Sequence, residues 1–209
     1  MSDLVVAIDG PAGSGKSTVA KTLATVLGWS FLDTGAMYRA VTVEALRRDL
    51  DVEDYDAVGR MAGSLAIETL PRVSVNGRDV EDYLRGERVN EAVSAVAANP
   101  QVRRHMVERQ RRFASVQPLG TVVEGRDIAT VVFPDATLKV YLTASLAERA
   151  RRRGDEGESS IARRDVADTT RAVSPLRQAA EAIVIDTTGR DVANVVEEIV
   201  ECLNTKISS

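Results

Sequence analysis

Hydrophobic positions follow two rhythms along the chain. Short, nearly unbroken apolar runs occur at Leu4 to Ile8 (LVVAI), Thr121 to Glu124 (TVVE), Leu138 to Leu142 (LKVYL) and Ala182 to Asp186 (AIVID). Runs of that length predict buried parallel strands, and Ser30 to Leu32 reads as one more. Between them the spacing turns helical. Val19, Ala20, Leu23, Ala24 and Leu27 lie on one face of Ser17 to Leu27, which Gly28 stops. A second helix follows Asp33-Thr34-Gly35 and runs through about Arg48. The last runs from about Val192 to Leu203, with Val192, Val195, Val196, Ile199, Val200 and Leu203 in one stripe. Strands alternating with helices predict an α/β fold: a five-stranded parallel sheet wrapped by helices on both faces.

Two stretches break that rhythm. Leu65 to Leu70, Pro71-Arg72, Val73 to Val75 and Asn76-Gly77 read as β-hairpin material, hence a small antiparallel lobe outside the main sheet. Arg151 to Arg171 is polar, contains Gly154 and Gly157 and holds six arginines, which marks a mobile loop or lid, with a solvated surface helix frayed at its start as the alternative. The expected layout is one domain: a core of 1–55, 100–150 and 172–209, an insertion at about 56–99 and a lid at about 151–171.

Composition narrows the chemistry. The 209 residues suit one domain with a small inserted lobe. A net charge of -4 argues against a nucleic-acid polymer or an anionic membrane as partner. Yet lysine occurs only at Lys16, Lys21, Lys139 and Lys206, so arginine dominates the cations. That bias fits either bidentate anion recognition or a GC-rich genome. One cysteine, Cys202, precludes an internal disulfide, and one histidine, His105, leaves too few ligands for a zinc cluster. No apolar run reaches the ~18 residues of a membrane helix. A soluble, cytoplasmic, monomeric protein is expected.

Gly10-Pro11-Ala12-Gly13-Ser14-Gly15-Lys16-Ser17, followed by Thr18, matches G-x-x-x-x-G-K-[ST] between a predicted strand and a predicted helix. Glycines let successive N–H groups curl toward a phosphate chain, and the helix start adds its positive end. Lys16 supplies a mobile charge, and the Ser17 hydroxyl is the expected Mg2+ contact. The motif specifies a nucleoside triphosphate and magnesium, not a reaction. A GTPase would need an Asn-Lys-x-Asp-type reader, and neither Lys139 nor Lys206 sits in one. A motor-type ATPase would take Glu124, at the end of an apolar strand, as its polarising carboxylate, and a nucleotide-dependent regulatory module with slow ATP hydrolysis is a further alternative. A small-molecule kinase fits best, since an arginine-rich lid would exclude the water that competes for the phosphoryl group. Thr34 and Arg39, and Arg126 and Asp127, follow predicted strands and so emerge at the carboxyl edge of the sheet, where ligands bind.

IDGPAGSGKST (8–18), LDTGAMYR (32–39), AVSAVAANPQVR (92–103), VVEGRDIATVVFPDA (122–136), ERARRR (148–153) and TRAVSPL (170–176) together resemble the bacterial cytidylate kinase family over nearly the whole chain. The resemblance implies transfer of the γ-phosphoryl group of ATP to CMP or dCMP, with Mg2+. It assigns cytosine reading to Ser94, Arg103 and Asp127, which suits a base presenting an amine donor beside two acceptors. It places an acceptor-phosphate clamp at Thr34, Arg39, Arg126 and Arg171, and sugar contacts at Arg164 and Asp168. Lys16, Arg126 and Arg171 would neutralise the transferring group. Arg153, with Arg149, Arg163 and Arg164, could reach the triphosphate. The chain departs from the family with Thr34 for serine, Glu124 for aspartate, and a shorter lid around GDEGESS (154–160). The remaining alternative within the class is a kinase for UMP or AMP.

Overall fold

The computed structural model describes residues 4–154 and 157–208. Its main sheet has the strand order β2-β6-β1-β7-β8. These strands are β1 (Val5–Asp9), β2 (Ser30–Asp33), β6 (Thr121–Gly125), β7 (Leu138–Thr143) and β8 (Ile183–Asp186). β1 lies at the centre, parallel to β6 (Ile8 opposite Glu124, Asp9 opposite Gly125) and to β7 (Asp9 opposite Tyr141). All five residues of β1 and of β6 are buried, which is why they read as continuous apolar runs rather than alternations.

The chain divides into two compact units, Met1–Leu32 with Arg111–Ser209, and Asp33–Gln110. In the first, α1 (Lys16–Leu27) and α8 (Val192–Ile207) bury their stripes on the sheet. Val19, Leu23, Ile8, Val140, Val195, Ile199 and Leu203 form that core. Gly28 closes α1 in the left-handed region, as its place after Leu27 predicts.

The second unit holds α2 (Thr34–Arg47), α3 (Tyr55–Ser64), α4 (Glu87–Ala98) and the larger part of α5 (Pro100–Ser115). The predicted hairpin is here a three-stranded antiparallel sheet of β3 (Ile67–Glu68), β4 (Ser74–Val75) and β5 (Arg78–Asp79). Asn76 and Gly77, both at positive φ (51° and 76°), make the tight turn between β4 and β5. The expected insertion of 56–99 lies inside this unit.

The stretch expected to be a mobile loop is helical over most of its described length. α6 spans Leu146–Arg152 and α7 spans Glu158–Thr170. Ile161 is fully buried and Asp168 nearly so, giving α7 an anchored face that overall polarity conceals. Residues 155–156 of the expected short lid lie outside the described residues.

Candidate active site

Within the first unit, the loop from β1 to α1 is shaped by contacts only glycine allows. A Cβ on Gly10 would collide with the Leu142 carbonyl, and one on Gly13 would lie 2.8 Å from the Arg149 carbonyl oxygen. Gly13 and Gly15 sit at φ 78° and 88°. Lys16, 5% exposed, donates to the Pro11 carbonyl at 2.8 Å. Burial, then the Arg126 charge, pushes its ammonium down to about 7, with Glu124 opposing. The loop is held from behind. Arg149 Nη1 donates to the Ala12 carbonyl (3.2 Å) and to Asp165 (2.6 Å). The buried Thr187 hydroxyl lies 3.0 Å from the Ser14 carbonyl, and Arg152 binds Thr187 in turn.

Ser17 Oγ donates to Glu124 Oε1 at 2.5 Å, joining the start of α1 to buried β6. A hydroxyl and a carboxylate oxygen this close are hard oxygen donors, the set a Mg2+ ion takes, so the residues fit that ion. The exchange of aspartate for Glu124 noted in the sequence keeps this charge in place.

Just after β6, Arg126 Nε donates to Asp168 Oδ2 (2.7 Å), while Arg171 Nη2 donates to Asp168 Oδ1 (2.6 Å). Burial would raise the Asp168 carboxyl, but the charges of Arg126 and Arg171 outweigh it and hold it below the usual range. Burial alone would lower Arg126; Asp168, with Glu124 and Asp9, reverses that. Asp168 is therefore a buried junction of two guanidinium groups, not a solvated loop acid. Arg164, Asp168 and Arg171 follow the burial rhythm of Ile161, four and three residues apart, whereas Arg163 is on the exposed face of α7. Arg153 caps α6 close enough to lower the Lys16 value, but Arg149 is committed to the loop backbone.

Asp127, 5% exposed, opens a five-residue π-helical turn, Ile128–Val132. Val131 N and Val132 N both donate to its carbonyl. The carboxylate of Asp9, at the end of β1, accepts from Ile128 N (2.9 Å) and Ala129 N (2.8 Å). Burial, chiefly, raises Asp9 to about 6; the two N–H bonds pull it down and Asp127 pushes it up. Sequence reasoning passed over Asp9, Asp165 and Thr187. Only the acidic end of an otherwise apolar strand marked Asp9.

In the second unit, Asp33 caps α2 through Ala36 N (2.9 Å) and Thr34 is buried behind it. Arg39 donates from one nitrogen to the Leu84 carbonyl and to Asn90 Oδ1, both at 2.7 Å, tying α2 to α4. Ser94 is half-buried on α4. Arg103, 4% exposed on α5, donates to the Ala97 carbonyl and lies 5.7 Å over the Tyr38 ring. Asn99 orients that helix, accepting from Gln101 N and Val102 N. Four expected acceptor residues, Thr34, Arg39, Ser94 and Arg103, thus belong to this unit; Arg126, Asp127, Arg164, Asp168 and Arg171 belong to the other.

The family model for cytidylate kinase matches residues 6–205. A cytidylate kinase of Mycobacterium avium is 47% identical over 95% of this chain and 94% of its own. One from Geobacillus kaustophilus is 47% identical over 97% of each. Among solved structures, a gluconokinase from Sinorhizobium meliloti superposes with a TM-score of 0.52 at 12% identity, covering 97% of this chain and 93% of its own, a likeness of fold alone. With a family match across almost all of its length and relatives this similar at both ends, the chain belongs to the cytidylate kinase family.

Proposed function

We propose that this protein transfers the γ-phosphoryl group of ATP to CMP or dCMP, giving ADP and CDP or dCDP. The observation that carries this is the grouping, within one unit, of the glycine loop and Lys16, the Ser17–Glu124 oxygen pair, and Arg126 and Arg171 converging on Asp168. The loop Gly10 to Thr18, through its N–H groups at every residue but Pro11, and Lys16 bind the donor phosphates, with Arg153 nearby. Ser17, backed by Glu124, would hold Mg2+, which when bound offsets charge on the donor phosphates. Arg126 and Arg171 neutralise charge spreading over the equatorial oxygens as the phosphoryl group moves. The attacking acceptor oxygen is already ionised at neutral pH, so no general base is needed, and positioning supplies much of the acceleration.

The acceptor roles follow from the same chemistry. Thr34 and Arg39 join the two arginines on the acceptor phosphate. Arg164 and Asp168 hold the sugar hydroxyls. Asp127 accepts from the cytosine amine, and Arg103 and Ser94 serve its acceptor atoms. Uracil reverses donor and acceptor at two of these points and leaves a buried group unpaired, which is costly. The protein is expected to act as a cytoplasmic monomer.

A side-by-side assay with CMP, dCMP, UMP and AMP tests the reading. CMP and dCMP should be phosphorylated far faster than UMP and AMP. Equal turnover of UMP would remove the base-reading roles, and ADP release indifferent to any acceptor would make the protein a hydrolase.

A further inference from the structure

Asp9 is 1% exposed, and the two hydrogen bonds its carboxylate accepts both come from one turn. Both oxygens are used. Oδ1 takes the N–H of Ile128 and Oδ2 that of Ala129. These are the first donors of the π-helical turn, which have no partner inside it, and a negative charge there also meets the positive end of the turn. The turn bonds back on itself at two carbonyls, that of Asp127, which accepts from Val131 N and Val132 N, and that of Ile128, which accepts from Phe133 N. On its other side, Gly125 is paired with Asp9 across the β1–β6 ladder. Asp127 is therefore gripped before and after by groups fixed to Asp9.

A carboxylate is needed for this hold. Two N–H groups converge, and an asparagine offers one oxygen with an amide that would face the second donor. Burying this acid is unfavourable: burial above all raises its pKa, and the nearby Asp127 charge adds to that. Core packing alone would be served better by an apolar residue at the end of β1.

We propose that Asp9 is a positioning residue for acceptor-base specificity: through Ile128 and Ala129 it sets the aim of Asp127. The inference rests on the reading of Asp127 as a cytosine contact. It predicts that loosening the hold blurs the choice of base, not merely the rate. A residue serving only the fold would lower activity on all acceptors alike.

The test is the ratio of kcat/KM for CMP to that for UMP, two substrates with the same phosphate and sugar. Asp9→Asn should lower this ratio about tenfold or more. Replacing Ala129 by lactate removes one donor N–H while leaving the side chain and Asp9 untouched. It should lower the ratio in the same direction, and serves if Asp9→Asn does not fold. Asp127→Asn is the control and should collapse the ratio. If Asp127→Asn collapses it but the folded Asp9 variant or the Ala129 ester leaves it within about twofold of the parent, the role of Asp9 is overturned. If Asp127→Asn leaves the ratio unmoved, the base-reading role of Asp127 fails first, and the inference with it.

Discussion

Lys16 shows the cost of burying a cation beside another cation. Its ammonium is buried beside Arg126, and its pKa falls from 10.5 to about 7. Below about pH 7 folded and unfolded chains both carry the proton, and the folded protein bears the full burial cost. Between about 7 and 10.5 only the unfolded chain keeps it, so this group's contribution to stability improves as pH rises. Lys16→Met should therefore melt higher than the parent without nucleotide at pH 6, with the gap narrowing toward pH 10, and should lose phosphoryl transfer. Thermal melting at the two pH values checks the first point; a lower melting temperature at pH 6 would contradict it. Arg126 differs, because its half-buried charge is paired with Asp168. Removing it leaves the fold with Asp168 still bound to Arg171, but on the proposed mechanism takes a cation from the transferring group. Arg126→Ala should lower kcat about 10³-fold or more with the circular dichroism spectrum unchanged.

Among the elements, the loop between β1 and α1 and the helices α6 and α7 act on one another. The Arg149 side chain touches the loop at Ala12 and joins α7 at Asp165, while its backbone sits where a Gly13 side chain would go. Gly13→Ala puts a Cβ into that backbone at a φ that disfavours it, so the loop must shift. ATP affinity, read by titration with a fluorescent nucleotide, should weaken at least about tenfold, since small displacements of positioned groups are costly. An affinity within twofold of the parent would mean that the loop tolerates the shift. The helical character of 158–170 was not legible from its polarity. Its one large buried apolar side chain, Ile161, is too little to make a stripe, and the rest of its buried and half-buried face is small or charged, at Ala162, Arg164, Asp165, Ala167 and Asp168. A buried charged face looks like a solvated one until its partners are known.

Across the whole molecule, each of the two units buries apolar side chains, and the second adds a buried carboxylate. The first rests on a continuous apolar core around β1. The second depends in part on Glu44 of α2, nearly fully buried and bonded by Arg47, Arg48 and, from β5, Arg78. Its hydrogen bond with Arg47, above all, lowers its pKa from 4.5 to about 2. The stability it contributes is present above about pH 4.5 and is lost as pH falls toward 2. Glu44→Gln should melt lower than the parent at pH 7 and show a flatter fall in melting temperature between pH 4.5 and 2. Parallel curves would mean other carboxylates carry the acid sensitivity.

Strand and helix periods, and the glycine loop at 10–17, were legible in the sequence because they depend on local spacing and on backbone geometry that few residues permit. The five-stranded parallel sheet follows from them, whereas the place of β1 at its centre came only with the tertiary structure. So does family membership, through blocks such as VVEGRDIATVVFPDA. The tertiary structure alone decided how the arginines are spent. Arg149 turns to the loop backbone, Arg126 and Arg171 meet on Asp168, and Arg39 spans two helices, none of which spacing reveals. It also decided Asp9, whose partners lie 119 and 120 residues away. The reason is physical. Hydrophobic burial repeats with the period of its own element, whereas a charge is satisfied by whichever partner the fold brings within about 3 Å, however distant in the chain.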